Sequence, residues 1–267
     1  MTTGAFRKGG FGWPILGSLA ALVVPPAAEL VTGNEMSYTI SIFVLFVLFW
    51  VLTKMSRAEI GLRFWDLSAY TVSFIYPVVL LALAAAVSAM ANDVNMDRSS
   101  FGEALFKTFI MFAATWLGAL LTEDGLFRGW LWGSLSRTGM GPRGILAWTS
   151  LVFGLWHLPV AIIEENFRLP PEVIPVYVAN ACLLGLAWGI IRLASGSIVV
   201  AAFCHGIWNG IVYIFFGYGT KSAVLGITRY DMFDPERGLL GLALNAIAVA
   251  ILWRWAARRV RRGDAGV

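Results

Sequence analysis

A pair of adjacent carboxylates interrupts an otherwise apolar stretch of this chain. Glu123 and Asp124 lie in the segment LLTEDGLFRGW, residues 120–130, and Arg128 follows the second acid by four positions. Ionisable side chains are costly in a bilayer, and those found there usually face a bundle interior or a water-filled cavity. A carboxylate in such a cavity can act as a general base. These residues are therefore the first candidates for chemistry.

The two histidines of the chain lie in two further apolar stretches. His157 is in VFGLWHLP, four residues after Phe153, and His205 is in AAFCHGIWNG, four residues before Asn209. Residues at i and i+4 share one face of a helix. His205 and Asn209 can therefore point into one cavity, and Phe153 can pack beside the ring of His157.

Helical angles separate the two acids. Asp124 and Arg128 have i, i+4 spacing, which predicts an internal ion pair. Glu123 is five residues from Arg128, about 140° away on an α-helix with 3.6 residues per turn. We therefore expect Glu123 to point away from that pair and to remain available for chemistry.

Composition identifies the elements that must position these groups. The chain has 267 residues, of which 58% are hydrophobic and 13% charged, and its mean hydropathy is +0.74. Soluble domains carry about 25% charged residues, so the chain is predicted to be an integral membrane protein. The net charge of +4 does not indicate a nucleic-acid partner, because the basic residues flank apolar runs.

A membrane-spanning helix needs about 20 mostly apolar residues. The sequence predicts an all-α, polytopic membrane helix bundle, a single integral membrane domain over residues 1–267. Pro25 and Pro26 are expected to kink or break the first span, and the fourth run is too long for one simple span. The eight predicted spans are approximately 14–32, 37–53, 68–90, 104–135, 143–163, 173–195, 197–216 and 239–257.

Depth along these spans brings the polar residues to one level. With a rise of 1.5 Å per residue, Glu123 lies roughly 18 Å from the inner end of its span and His157 roughly 21 Å. His205 and Asn209 lie roughly 12 and 18 Å from theirs. A shared pocket between the fourth, fifth and seventh spans explains this coincidence better than chance placement.

Basic residues predict the orientation, because Lys and Arg gather on the cytoplasmic side of membrane proteins. Most of them fall on one side if both termini are cytoplasmic. The tail RRVRR at 258–262 is typical of an inner anchor beside anionic lipids. The other inner residues include Lys54, Arg57, Arg63, Arg137, Arg143 and Arg192, whereas the outer loops hold Arg98, Arg168, Lys221, Arg229 and Arg237.

Three short segments resemble the motifs of the CAAX prenyl protease and bacteriocin-processing (CPBP) family of intramembrane proteases. EDGLFR resembles Glu-Glu-x-x-x-Arg, FGLWH resembles Phe-x-x-x-His, and HGIWN resembles His-x-x-x-Asn or Asp. Asp124 in the second acidic position is the one departure. The resemblance covers about residues 104–216, the predicted protease core, which spans the fourth to seventh helices.

The resemblance implies a role for each motif residue. Glu123 would be the general base, with His157 helping to hold and polarise a water molecule. His205 and Asn209 would donate hydrogen bonds to the oxyanion. Arg128, paired with Asp124, would support the helix that carries the base. The implied function is an intramembrane endopeptidase that hydrolyses a membrane-embedded or lipid-anchored protein or peptide.

A zinc site is the main chemical alternative. Glu123, His157 and His205 could supply three ligands and leave a position for water. The soluble zinc-protease signature His-Glu-x-x-His is absent from the sequence, so we favour a metal-free glutamate mechanism. Cys204 adjoins His205, but neighbours on a helix point about 100° apart and make a poor catalytic dyad.

Two other classes of function remain open from the sequence. Buried ionisable groups also form proton relays in ion-coupled transporters, although no repeated half with matching broken helices is visible. A non-proteolytic membrane immunity or scaffold protein is the second. The frequent Ala, Gly, Arg and Trp residues favour a prokaryotic plasma membrane as the location, and the sequence does not identify the substrate.

Overall fold

The computed structural model describes residues 10–64, 66–96, 101–164, 167–218 and 223–262, and within these ranges it is helical without strands. The helices are α1 Gly12–Thr32, α2 Glu35–Thr53, α3 Arg57–Ile60, α4 Leu67–Met90, α5 Phe101–Leu121, α6 Trp132–Arg137, α7 Pro142–Ile163, α8 Ile174–Ser195, α9 Ile198–Ile211, α10 Tyr230–Phe233 and α11 Leu239–Arg262. Two segments are π-helical, Asp124–Leu131 and Val212–Phe216.

In the described part of the chain, eight helical runs are long and apolar enough to cross a membrane. The fourth, Phe101–Arg137, is 37 residues long and contains α5, the first π-helical segment and α6. Large apolar side chains such as Leu19, Val47 and Phe106 remain exposed on the outside of the bundle, as expected for a surface in contact with lipid. The prediction of an all-α bundle with eight spans is confirmed, and the chain is an integral membrane protein.

Short turns join two of the antiparallel helix pairs. Gly33, with φ of 64°, ends α1, and the side chain of Asn34 then accepts a hydrogen bond from the backbone at the start of α2. Gly196, with φ of 68°, and Ser197 repeat this arrangement between α8 and α9. A left-handed glycine followed by a polar N-cap satisfies both helix ends within two residues.

Pro25 and Pro26 do not end the first span. Helix α1 runs from Gly12 to Thr32 with both prolines inside it, so of the expected kink or break the break does not occur. Prolines are tolerated within membrane helices because neighbouring helices and polar side chains satisfy the backbone groups that they leave free.

Small residues let the helices that surround the site approach closely. A Cβ atom added to Gly206 of α9 would lie 2.9 Å from the carbonyl oxygen of Phe112 on α5. One added to Gly154 of α7 would lie 2.1 Å from Sγ of Cys182 on α8. These contacts fix α9 against α5 and α7 against α8, and each of α7 and α9 carries one of the two histidines.

The sequence analysis assumed a regular α-helix for the fourth run. The structure differs from this assumption where the run carries the acids. Its eight residues Asp124–Leu131 form a π-helix in which every residue is buried. Gly125 and Gly129 lower the α-helical propensity of this segment. The Thr122 hydroxyl also donates to the Gly118 carbonyl at 2.8 Å, a bond that tends to bend helices. Widened π-helical turns occur often at functional sites.

Candidate active site

The second acid lies at the centre of a buried charge cluster. Asp124 is fully buried, and its Oδ1 lies 3.3 Å from Nη1 of Arg128, which is also buried. These two atoms are not aligned for a hydrogen bond. The attraction between the two side chains is therefore electrostatic. The guanidinium group also lies over the ring of Phe153, 3.9 Å from the centroid, in a cation–π contact.

The other oxygen of Asp124 contacts a second helix. Nδ1 of His205 on α9 lies 3.1 Å from Oδ2 of Asp124, and both side chains are buried. Trp188 of α8 stacks on the His205 ring with centroids 3.8 Å apart. Asp124 therefore contacts both Arg128 and the imidazole of His205. The i, i+4 spacing predicted the contact with Arg128 but not the one with His205.

A backbone carbonyl fixes the tautomer of His157. Nδ1 of His157 lies 2.8 Å from the carbonyl oxygen of Phe153, and a carbonyl can only accept, so Nδ1 carries the hydrogen. When the ring is neutral, Nε2 is left as an acceptor. Phe153 and Trp156 flank the ring edge-on, with centroids 4.5 and 4.8 Å away.

Glu123 is more accessible than Asp124, Arg128 and His205. It precedes the first π-helical segment, and 24% of its side chain is exposed, whereas Asp124 has no exposure. Its Oε2 lies 4.0 Å from Nε2 of His205, beyond hydrogen-bond distance. The two neighbouring acids thus have different environments, one closed in an ion cluster and one open to a cavity.

Asn209 lies one helical turn beyond His205 on α9. Its Nδ2 donates to the hydroxyl oxygen of Tyr213 at 3.1 Å. The amide has a second N–H, for which no hydrogen bond within the described ranges is recorded. Asn209 lines the same cavity as His205, so this N–H is available to a ligand.

These side chains surround one small cavity, called here the site cavity. Its volume of about 50 Å³ suits a few water molecules. The fourth, fifth and seventh spans all contribute to its wall, as do α8 and the turn before α11. Its polar lining consists of Glu123, His157, Tyr177, His205, Asn209, Tyr213 and Glu236.

A larger space, called here the access cleft, leads to the site cavity. It has a volume of about 770 Å³. It shares Glu123, His157, Tyr177 and Tyr213 with the site cavity. From there it extends past the turn between α1 and α2 and past Glu164, at the end of α7. The site is therefore reached from the side of the bundle where α1, α7 and α9 end.

Four residues of the site cavity were missed by the sequence analysis. Tyr213 lies four residues after Asn209, so the same helical spacing could have identified it. Trp188 and Tyr177 lie on α8, an apolar helix without a motif, and gave no signal of their own. Glu236 lies in the polar region between the seventh and eighth spans, where a carboxylate is expected to be solvated.

The three residues of the zinc alternative, Glu123, His157 and His205, all line the site cavity. Among the described residues, no three or more His, Cys, Asp or Glu side chains are grouped to hold a metal ion. Nδ1 of His205 contacts Asp124, and Nδ1 of His157 contacts a backbone carbonyl, so each ring keeps Nε2 for a water molecule or a metal ion.

Residues 105–211 match the sequence profile of a family described as Rce1-like, type II CAAX prenyl endopeptidase Rce1-like. The match covers 107 of the 267 residues and shows a similarity of this part of the chain to that family. The resemblance inferred from the three motifs is therefore confirmed, and the matched range contains all three. The Rce1-like match supports a protease with membrane-associated protein substrates. No curated protein and no solved structure matches the chain.

Proposed function

We propose that this protein is an intramembrane endopeptidase in which Glu123 and His157 activate a water molecule. The observation that carries the proposal is the convergence of Glu123, His157, His205 and Asn209 on one cavity from three separate spans. Peptide hydrolysis needs an activated water and donors for the developing oxyanion. The site cavity offers candidates for both.

The water is activated by two acceptors. The carboxylate of Glu123 is partly exposed and takes the proton of the attacking water. Nε2 of His157, left without hydrogen by the bond of Nδ1 to Phe153, accepts the second hydrogen bond of that water. The pairing positions the oxygen for attack on a carbonyl carbon.

The oxyanion is bound by His205 and Asn209. Nδ1 of His205 donates to Asp124, so its Nε2 can donate only if the ring is doubly protonated. The proposed role requires that form, in which the imidazolium and Arg128 face the carboxylates of Asp124 and Glu123. Trp188, stacked on the ring, adds a cation–π contact. Asn209 supplies its second N–H.

The substrate is a membrane-associated protein or peptide that reaches the site through the access cleft. With both termini cytoplasmic, this cleft opens on the outer side, opposite the basic tail at 258–262. Arg98 and Lys221, two of the basic residues assigned to the outer loops, lie outside the described residues. Labelling of Asn34→Cys in intact cells by a membrane-impermeant maleimide tests this orientation, and exclusive labelling after lysis would reverse it.

The activity is tested by comparing membrane peptides from cells that express wild type or Glu123→Gln. A set of peptides with new termini should be present with wild type and absent with Glu123→Gln. Glu103→Gln is the matched control, because Glu103 forms an exposed ion pair with Lys107 on α5, and it should behave as wild type. Identical peptide sets for all three proteins contradict the proposal.

The same variants separate a protease from a non-proteolytic scaffold or immunity protein. A scaffold keeps its cellular role in Glu123→Gln, whereas a protease loses it. Metal analysis of the purified protein, with activity measured before and after treatment with a chelator, tests the metal-free mechanism. Loss of activity on chelation and its return with added zinc would overturn that part of the proposal.

A further inference from the structure

The turn between α10 and α11 is built from buried charged groups. Oδ1 of Asp234 accepts hydrogen bonds from the backbone N–H groups of Glu236 and Arg237, both at 2.8 Å. Its Oδ2 lies 2.6 Å from Nη2 of Arg237. Asp234 and Arg237 are both almost fully buried. One carboxylate thus fixes the backbone on which Glu236 stands.

Two buried asparagines hold the same turn from neighbouring helices. Asn180 of α8 donates to the carbonyl oxygen of Glu236 at 2.9 Å. Asn245 of α11 donates to Oδ1 of Asn180 at 3.0 Å and to the carbonyl of Pro235 at 3.2 Å. These hydrogen bonds tie the turn to α8 and to α11.

Backbone packing leaves the turn no room to shift. A Cβ atom added to Gly241, on the first turn of α11, would lie 2.2 Å from the carbonyl oxygen of Pro235. One added to Gly238 would lie 2.7 Å from the backbone nitrogen of Asp234. The turn is therefore closely packed, although it lies in a connection between spans.

The group that this turn presents is the side chain of Glu236. It lines the site cavity together with Glu123, His157 and His205. Its Oε1 accepts a hydrogen bond from Nε1 of Trp208 at 2.8 Å. Trp208 is fully buried and lies between the third-motif residues in the sequence. The indole occupies Oε1, which leaves Oε2 of Glu236 as the oxygen able to carry a proton.

The surroundings of Glu236 raise the pKa of its carboxyl group into the neutral pH range. Burial is the main cause that raises its pKa to about 7, and the nearby carboxylate of Asp234 adds to the effect. The hydrogen bond from Trp208 and the positive charges of Arg237 and His205 lower the pKa but do not cancel the burial. The other titratable groups that face the cavity are Glu123, His157, Tyr177 and Tyr213.

We propose that Glu236 is the general acid that protonates the leaving nitrogen of the scissile amide. The inference rests on the proposed function and adds a residue to it. Two carboxyl groups of one site then have opposite tasks set by their surroundings. The proposal assigns the ionised form to Glu123 and the neutral form to Glu236, whose Oε1 is held by the indole of Trp208.

The step balances in protons and bonds. Glu123 takes a proton from water while the water oxygen bonds to the carbonyl carbon. Glu236 gives the Oε2 proton to the amide nitrogen while the carbon–nitrogen bond breaks, which yields an amine and a carboxylic acid. The proton on Glu123 then passes through cavity water to the Glu236 carboxylate, and both groups return to their starting forms.

A pair of fluorogenic probe peptides tests this role. One is an S-farnesyl-cysteine peptide with an amide at the scissile position, and the other has a thioester there. A thiolate leaves without a proton near neutral pH because its ordinary pKa is about 8.5. Glu236→Gln should lower amide cleavage by at least about 100-fold and thioester cleavage by less than about tenfold. Glu123→Gln should lose cleavage of both probes. Glu172 is exposed in the connection between α7 and α8, so Glu172→Gln should cleave both probes normally.

Some results of the probe experiment overturn the role of Glu236. Unchanged amide cleavage in Glu236→Gln would do so, and so would an equal loss on both probes. Glu123→Gln that cleaves normally would instead overturn the proposed function. If Glu236→Gln does not fold, Glu236→Asp takes its place, since it keeps a carboxyl group at this position. Its shorter side chain should again lower amide cleavage more than thioester cleavage.

A second measurement needs no substrate. The indole ¹⁵N–¹H resonance of Trp208, assigned with Trp208→Phe, should titrate with a midpoint near pH 7, because Glu236 accepts its hydrogen bond. The titration should persist in Glu123→Gln and vanish in Glu236→Gln. A Trp208 resonance that stays constant between about pH 5 and 9 overturns the assignment of the acid, whatever the peptides show.

Discussion

The imidazole of His205 and the carboxylate of Asp124 lie 3.1 Å apart, although the two residues are separated by 81 positions in the chain. The same carboxylate lies 3.3 Å from Arg128. Asp124 is therefore the point at which the first and third motifs meet. A buried acid shared by a cation and an imidazole links the orientation of α9 to that of the first π-helical segment.

Asp124→Asn should destabilise the protein by about 3–5 kcal/mol, because it leaves the guanidinium of Arg128 buried without a counter-charge. Asp124→Glu keeps the charge and should lose less. Denaturant unfolding of the purified proteins in detergent micelles measures both. Glu103→Gln, which breaks an exposed pair, should change stability by no more than about 1 kcal/mol. An Asp124→Asn protein as stable as that control would show that the cluster contributes little.

Gly154→Ala should destabilise the contact between α7 and α8 by about 1–3 kcal/mol, the usual effect of overpacking. The new methyl group would lie 2.1 Å from Sγ of Cys182. Cys182→Ala in the same chain removes that sulfur and should restore more than half of the loss. Thermal unfolding of the two single variants and the double variant forms the test. Simple addition of the two losses would rule out the sulfur as the obstacle.

Arg192→Lys should weaken the attachment of the first π-helical segment to α8. Nε of Arg192 donates to the carbonyl oxygen of Arg128 at 3.2 Å. The guanidinium group of Arg192 packs against Gly61. A Cβ atom added to Gly61 would lie 2.4 Å from Cζ of Arg192. An ammonium group cannot reproduce this flat contact. We expect a loss of about 1–3 kcal/mol and faster hydrogen exchange in residues 124–131, whereas unchanged exchange would contradict the role.

Glu59 provides a prediction for the effect of pH on stability. Burial alone would raise its pKa, but the hydrogen bonds from Arg137 and Ser56 outweigh burial and hold the pKa below its ordinary value of 4.5. A lowered pKa means that the stabilisation is present above pH 4.5 and is lost as the pH falls through the folded-state value.

The comparison of wild type with Glu59→Gln isolates this contribution. At pH 7 the variant should be less stable by about 0.2–1 kcal/mol, because the pair is partly exposed. The difference should shrink below about pH 4.5 and vanish at lower pH. Melting temperatures measured in parallel across this range provide the test. A difference that grows on acidification would have the wrong sign.

The spans could be predicted because a bilayer imposes a simple length and composition on each helix. The predicted eighth span, 239–257, ends five residues before the observed end at Arg262, since the basic tail continues the helix beyond the apolar run. The other ends differ by only a few residues. The apolar runs set the position of each helix, and the charged tail extends one of them.

The polar residues within spans could be found because each is conspicuous in an apolar run. Glu123, His157 and His205 stand out without any knowledge of the fold. The contact between Asp124 and His205 could not be predicted, because it depends on how α9 packs against the fourth run. Helical spacing reports only on neighbours within one helix.

The π-helical segment and Glu236 escaped prediction for different reasons. A regular helix was assumed for residues 124–131, and periodicity alone does not reveal a widened turn. Glu236 lies in a polar connection, where the sequence gives no sign that Asp234 and Asn180 bury the backbone around it. Only the three-dimensional arrangement turns an ordinary loop acid into part of the cavity wall.

The glycine contact between α5 and α9 constrains how a substrate can be admitted. At Gly206 and again at Gly210, the two helices meet backbone to backbone, against Phe112 and Thr108. A relative slide of one residue would push side chains into main chain, so the helices behave as a single rigid block. Glu123, just after the end of α5, and Asn209, on α9, therefore stay in register through every turnover. The hairpin of α1 and α2 lines the access cleft and takes no part in this contact.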